Sequence, residues 1–242
     1  MSTLLIPIAP LSRTKSRLRD CFSKELLKDL TIAMFNDLAK KVSSLGCFDN
    51  KIVYCNSDEI LSLAREYGLL AIKEELSTPR KSFDQVIQDL TTIAVNEFDA
   101  EWTLFTFLDV ILISELNFKE ISKLINYNDL VICPAINSGG ISVLGRKPPN
   151  IIPTYFSEPR VPSFIALLNN ARINGLKFAI YDSFRAGFDI DLKQDLILAF
   201  EYLKIFNLEN SQTYQFLKNN LKITLYKKDV NDNRRFEIKK LK

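Results

Sequence analysis

Seven strand-length apolar runs, at 3–8, 51–55, 69–73, 102–108, 129–134, 141–145 and 177–181, alternate along most of the chain with stretches of helical periodicity. Short apolar runs separated by helices fit a layered α/β fold with a mainly parallel sheet flanked by helices. Predicted helices cover 23–44, 57–67, 83–97, 117–126, 162–174 and 192–205. Asn56 with Glu59, and Asn117 with Glu120, have the spacing of a helix cap and its third-position carboxylate. With 242 residues, 47% of them apolar, the chain can fill one core, and a single domain is expected over 1–205. After 206 the pattern weakens to a short helix and two basic strand-like pieces, Leu221 to Tyr226 and Arg235 to Ile238. The segment 206–242 is read as an extension packed on the domain or on a partner subunit.

The chain contains no histidine, which removes Ser-His-Asp and Cys-His hydrolysis, HExxH metalloproteolysis and imidazole acid-base chemistry. Chemistry is left to carboxylates, Lys, Arg, backbone groups or a metal. A net charge of +3, with both signs interspersed, points to a small anion and not to nucleic acid. No stretch reaches the length of a membrane span, and the N-terminus lacks the pattern of a secretory signal, so a cytoplasmic protein with no membrane partner is expected. Cys21, Cys47, Cys55 and Cys133 have neither close pairing nor zinc-type spacing and read as reduced core thiols.

The first strand, Leu4-Leu5-Ile6-Pro7-Ile8, runs into a basic loop carrying Arg13, Lys15 and Arg17. Ligands of parallel sheets gather beyond the carboxyl ends of the strands, so this loop suits phosphate, with a solvated loop as the alternative. Asp109 follows the run 102–108 and is either a ligand for a phosphate-bridging cation or a turn aspartate. Asp189 and Asp191, two apart in an extended segment, project to one side and with Asp109 could hold magnesium. Asp191-Leu192-Lys193-Gln194 is equally a capping box. Ser138-Gly139-Gly140 allows close backbone approach to a ligand or forms an ordinary turn. Ser163, before a predicted helix, is its cap or an anion contact. The proline-rich stretch 145–163 fits an irregular connection or the rim of a site.

In order along residues 4–205, Ile6-Pro7-Ile8-Ala9-Pro10, Thr14-Lys15-Ser16-Arg17-Leu18, Asp109, Gly139-Gly140, Ser163-Phe164 and Ile180-Tyr181-Asp182-Ser183-Phe184 leading to Phe188-Asp189-Ile190-Asp191 resemble the CofC family, most closely its archaeal members. These are the 2-phospho-L-lactate guanylyltransferases of deazaflavin coenzyme F-420 biosynthesis. The resemblance implies a single-domain nucleotidyltransferase fold of glycosyltransferase-A type. It implies that GTP is joined to a three-carbon phospho-acid with release of pyrophosphate. By motif position it makes Lys15, Arg17 and Asp109 catalytic, and Asp109, Asp189 and Asp191 magnesium ligands. Gly139, Gly140, Ser163, Asp189 and Asp191 become substrate contacts, and Ser82-Phe83-Asp84-Gln85-Val86 falls loosely on a Gly-Leu-Asn-x-Ala-like segment near the nucleotide.

Two departures bear on the acceptor. Where the family has Pro-Ala-Asp-Leu-Pro, this chain has Phe107-Leu108-Asp109-Val110-Ile111; where it has Gly-Gly-Gly-Thr-Asn, this chain has Ser138-Gly139-Gly140-Ile141-Ser142. Loss of the threonine's hydrogen bond to an anion is worth about 1.5–3 kcal/mol, one to two decades in activity. Phosphoenolpyruvate and 3-phosphoglycerate therefore stand beside 2-phospho-L-lactate as acceptors. Two other readings stay open at this level: a nucleotidyltransferase using another nucleotide or a sugar phosphate, and a non-catalytic nucleotide-binding homologue. A homodimer is the expected assembly.

Overall fold

A computed structural model describes residues 1–11, 15–137, 139–224 and 237–240. Its contacts divide the chain into two compact units, Met1–Pro10 with Leu38–Asp189 and Leu11–Asp37 with Ile190–Lys242.

The first unit is built on a seven-stranded sheet. Its strands are β1 (Ser2–Pro7), β2 (Asn50–Cys55), β3 (Leu70–Lys73), β4 (Trp102–Thr106), β5 (Leu130–Pro134), β6 (Ile141–Arg146) and β7 (Phe178–Ile180), in the order β3-β2-β1-β4-β6-β5-β7. The seven apolar runs of the sequence account for them. All pairings are parallel except those of β6, which runs antiparallel to both β4 and β5. β5 and β6 are joined by a short turn, which can reverse a strand but cannot make the crossover that a parallel pair needs. Leu5 of the central β1 lies between Ile52 and Phe105, and Leu4, Leu5 and Ile6 are all fully buried. Each contributes about 1.5–3 kcal/mol by leaving water.

The helices of the chain, in order, are α1 (Lys24–Ser43), α2 (Asp58–Glu66), α3 (Phe83–Phe98), α4 (Glu115–Leu124), α5 (Ser163–Ile173), α6 (Phe184–Gly187), α7 (Lys193–Ile205) and α8 (Gln212–Asn220). Ile87, Leu90 and Ala94 of α3 and Leu167, Leu168 and Ala171 of α5 pack on Leu5, Ile52, Phe105, Ile132 and Leu144 to make a core on one face of the sheet. Arg146 ends β6 inside this layer, 1% exposed. Its guanidinium donates to Ile152 O at 3.0 Å and Thr91 Oγ1 at 2.8 Å and lies 5.0 Å from the centre of the Phe105 ring. Burial lowers its pKa to about 10, against a smaller opposing effect of Asp84. The proline-rich stretch thus begins tied to the α3 layer.

Two helix starts differ from the sequence expectation. Ser57, not Asn56, caps α2, accepting from Ile60 N, while the Asn56 amide donates to Glu74 O at 2.9 Å. Ser114 caps α4, and Asn117 is its third residue, whose Oδ1 accepts from Ser114 N. In each case a serine at the true boundary takes the cap, one residue after Asn56 and three before Asn117. Asn117 instead spends its amide on Tyr181 Oη at 2.9 Å and Ser183 Oγ at 3.2 Å, tying α4 to the segment after β7. Cys21, Cys55 and Cys133 are buried and Cys47 is half-buried, and none of the four is in a disulfide. Burial pushes the Cys55 and Cys133 pKa values up to about 11.

In the second unit the start of α8 meets Asn36 and Asp37 of α1. Gln212 N and Thr213 N both donate to the Asp37 carboxylate at 2.8 Å, and the Asn36 amide donates to Gln212 Oε1 at 3.0 Å. Phe200 stacks on Tyr214 and Phe22 packs against Phe216. β8 (Leu221–Thr224) and β9 (Glu237–Lys240) pair antiparallel. β9 shares Glu237 and Ile238 with the second strand-like piece and runs on to Lys240, and the first two residues of that piece lie outside those described.

Candidate active site

β4 delivers the chain to Asp109 through a turn in which Val110 N donates to Phe107 O at 3.4 Å. Asp109 itself is half-buried, but Val110, Ile111, Leu112 and Ile113 after it are buried. Buried carbonyls need donors. The Lys41 ammonium donates to Ile111 O and Ile113 O, and Arg185 Nε donates to Leu112 O at 2.8 Å. Two cations thus hold the loop that carries Asp109, and burial lowers the pKa of Arg185. Neither cation was singled out in the sequence, because each is distant along the chain from the loop it holds.

The Gly139–Gly140 turn lies against the start of α5. Gly139 has φ +62°, Phe164 N donates to its carbonyl at 3.3 Å, and a Cβ there would stand 3.2 Å from Pro162 Cβ. Gly140 O accepts from Ala135 N at 3.0 Å. Gly139 and the start of α5 at Ser163 are therefore brought together. Ser163 is the first residue of α5; the cap position falls on Pro162, which has no side-chain cap bond. Of its two readings, the cap is the one the structure removes. Ser163 thus opens the first turn of α5, where the free amides of a helix favour an anion. Ile141, in the position of the family's threonine, is buried in the core, and the Ser142 hydroxyl donates to Cys133 O at 3.1 Å. Neither is offered to a ligand.

The same turn is closed on its other side by Gly187, whose carbonyl accepts from Ile136 N at 2.9 Å. A Cβ at Gly187 would stand 2.6 Å from Pro134 O. This close approach sets the path of Phe188 and Asp189, and it is invisible in sequence because its partner lies some fifty residues away. Gly187→Ala is expected to destabilise the protein by about 1–3 kcal/mol, read as a lowered melting temperature. An unchanged melt would show that the close approach is not fixed.

In the second unit Lys15 precedes a single 3-10 turn, Ser16–Leu18, and adopts the left-handed conformation at φ 47°. A lysine there costs about 1–2 kcal/mol. Its side chain is 9% exposed, with Nζ on the Ile190 carbonyl and 3.2 Å from Asp191 Oδ1. Arg17 Nη1 lies 2.9 Å from Asp191 Oδ2. The backbone amides of Asp191 and Leu192 are satisfied by Asp195, at 2.9 and 2.7 Å, so Asp191 is not the cap of α7. Lys15, Arg17 and Asp191 thus form one ionic cluster. Arg13 and Ser138 lie outside the described residues.

Magnesium is held by one or two carboxylates together with substrate phosphates more often than by an all-protein cage. Among the described residues no three His, Cys, Asp or Glu are grouped to hold a metal. Asp191 already faces two cations. Carboxylates are the donor type such an ion takes, and Asp109 and Asp189 are of that type. Among the described residues no helix is long and apolar enough to cross a membrane.

A family model described as guanylyl transferase CofC-like matches residues 2–240. The chain is 31% identical over 193 residues to the 2-phospho-L-lactate guanylyltransferase of Methanocaldococcus fervens, covering 80% of this chain and 82% of that protein. Among solved structures it is similar to a protein of Desulfovibrio desulfuricans G20 assigned as a nucleotide-diphospho-sugar transferase, with TM-score 0.73, 13% identity and coverage of 90% and 94%. It is also similar to 4-diphosphocytidyl-2C-methyl-D-erythritol synthase of Anaerococcus prevotii, with TM-score 0.60, 12% identity and coverage of 84% and 96%. At such identities the two structures speak for the fold, a nucleotidyltransferase-like α/β sheet.

Proposed function

Because the chain belongs to the guanylyl transferase CofC-like family, we propose that it transfers the guanylyl group of GTP to 2-phospho-L-lactate and releases pyrophosphate, in the biosynthesis of coenzyme F-420. Phosphoenolpyruvate and 3-phosphoglycerate are the alternative acceptors. The observation that carries the reading is the match over residues 2–240, joined to relatives of that name at about 30% identity. The protein would work as a soluble cytoplasmic homodimer.

A phosphate monoester has a second pKa of about 6 and is already an anionic nucleophile at neutral pH. Its oxygen attacks the α-phosphorus of GTP, one P–O bond forms, and the bond to the β-phosphate breaks with its electron pair leaving on pyrophosphate. No general base is required, which agrees with a chain that has no histidine. The difficulty is repulsion between two anions. Lys15 and Arg17 would screen the nucleotide phosphates, with Asp191 setting the reach of both side chains. The Ser163 hydroxyl, the first-turn amides of α5 and the Gly139–Gly140 backbone would orient the phospho-acid. Asp109 and Asp189 would hold magnesium, which when bound neutralises phosphate charge. Lys41 and Arg185 keep the Asp109 loop in shape.

Ser163→Ala is expected to raise KM for the phospho-acid about tenfold, the loss of one hydrogen bond to a charged group, and to leave KM for GTP unchanged. A rise in KM for GTP alone would move Ser163 to the nucleotide.

A further inference from the structure

β3 is an edge strand, and its pairing with β2 continues one residue past its end, where Glu74 N donates to Cys55 O at 2.8 Å. Period-two alternation puts Glu74 on the face of Leu70 and Ile72, both packed on the core beneath α3. The residue is only 8% exposed. Buried carboxylates are normally paired or hydrogen-bonded. The neighbouring lysine, Lys81, is committed to Asp89 at 2.5 Å, and the Glu74 carboxylate receives no hydrogen bond from a described residue. Its oxygens are nonetheless not among the buried polar atoms sealed from solvent. Burial raises its pKa, with Lys81 and Arg80 opposing. The result is a desolvated acceptor, open to a small molecule, at the carboxyl end of the sheet.

The same end of the sheet carries a cluster of rings. Phe83, the first residue of α3, lies 5.8 Å from Phe107 and 5.4 Å from Phe156, and Phe107 lies 5.5 Å from Phe156. Phe83 is 38% exposed, so part of its ring is open to solvent. The cluster is fixed by Asp84, whose carboxylate accepts from the Thr154 hydroxyl and, at 2.8 Å each, from Phe156 N and Ser157 N. Phe107 follows β4 and stands two residues before Asp109. β3 and β4 are three strand steps apart. That is about 14 Å along the sheet, the scale of a nucleoside with its phosphates.

We propose that Glu74 reads the base of the bound nucleotide, its carboxylate accepting the N1–H and 2-amino N–H of guanine while the Phe83, Phe107 and Phe156 cluster offers the base a stacking surface. This rests on the guanylyl reading above and names the residue that makes the nucleotide GTP. Guanine presents two adjacent donors on that edge, whereas adenine presents an acceptor beside its donor and so faces the carboxylate with a lone pair. Stacking accepts any base, so discrimination falls to Glu74.

The test is equilibrium binding of GTP, ITP and ATP to the full chain and to Glu74→Gln, Glu74→Asp and Phe83→Ala, each variant checked by thermal melting. ITP keeps N1–H and lacks the 2-amino group. The unmodified chain is expected to bind GTP at least tenfold more tightly than ITP, and ATP more weakly still. Glu74→Gln should lose about tenfold to a hundredfold for GTP and bring the GTP-to-ITP ratio close to one. Glu74→Asp should reduce the same ratio in part, so the assignment stays testable if the glutamine variant folds poorly. Phe83→Ala should weaken all three nucleotides by a similar factor and leave the ratio intact. A GTP-to-ITP ratio unchanged in both Glu74 variants overturns the assignment while guanylyl transfer stands. An unmodified chain with no preference for GTP over the other nucleotides overturns the guanylyl reading and this inference with it.

Discussion

Asp109→Asn is expected to lower turnover by two to three decades and to leave the melting temperature unchanged. The size follows from removing one preorganised charge from a site where charge separates or is held in the transition state. The stability follows from the local structure. The loop after Asp109 is held by its own buried side chains, by Lys41 on Ile111 O and Ile113 O, and by Arg185 on Leu112 O. Asparagine keeps the volume and one acceptor oxygen, so the loop keeps its course while losing its charge. Steady-state rates with a thermal melt on the same preparation check both halves. Full activity in the variant would remove Asp109 from the chemistry.

Lys15→Met carries the second large effect, a fall in kcat/KM for GTP of about two decades, since it deletes the more buried of two cations beside Asp191. Asp191→Asn is expected to cost about tenfold. The double variant should be no worse than Lys15→Met alone, because residues that act through one another are not additive. A magnesium titration separates this role from direct ligation. If Asp191 orients Lys15 and Arg17, the magnesium concentration at half-activity stays where it was in Asp191→Asn. If that concentration rises by an order of magnitude, Asp191 is a metal ligand and its pairing with the two cations gives way when substrate binds.

The layers of the fold are legible because each strand is a short apolar run and each long helix has a periodic stretch of its own. The antiparallel β6 is harder to read, since a buried strand has the same composition in either direction and only the shortness of the stretch between β5 and β6 betrays it. In the site, Asp109 and the Gly139–Gly140 turn are legible from their places at strand ends. Ser163 lost one of its two readings, since the cap position falls on Pro162. Asp191 shows where spacing misleads. Asp191 to Gln194 fits a capping box, but α7 begins at Lys193 and Asp195 takes the free amides. A boundary displaced by one residue turned a cap into an ion-pair partner. Gly187, Lys41, Arg185 and Glu74 owe their significance to contacts made only when distant segments meet, and no local pattern marks them.

The most direct measurement is pyrophosphate release from GTP and magnesium with 2-phospho-L-lactate, phosphoenolpyruvate and 3-phosphoglycerate in parallel, with products identified by mass. The predicted result is one molecule of pyrophosphate per guanylylated acceptor, fastest with 2-phospho-L-lactate. Tight GTP binding with no pyrophosphate from any of the three would contradict guanylyl transfer to a three-carbon phospho-acid.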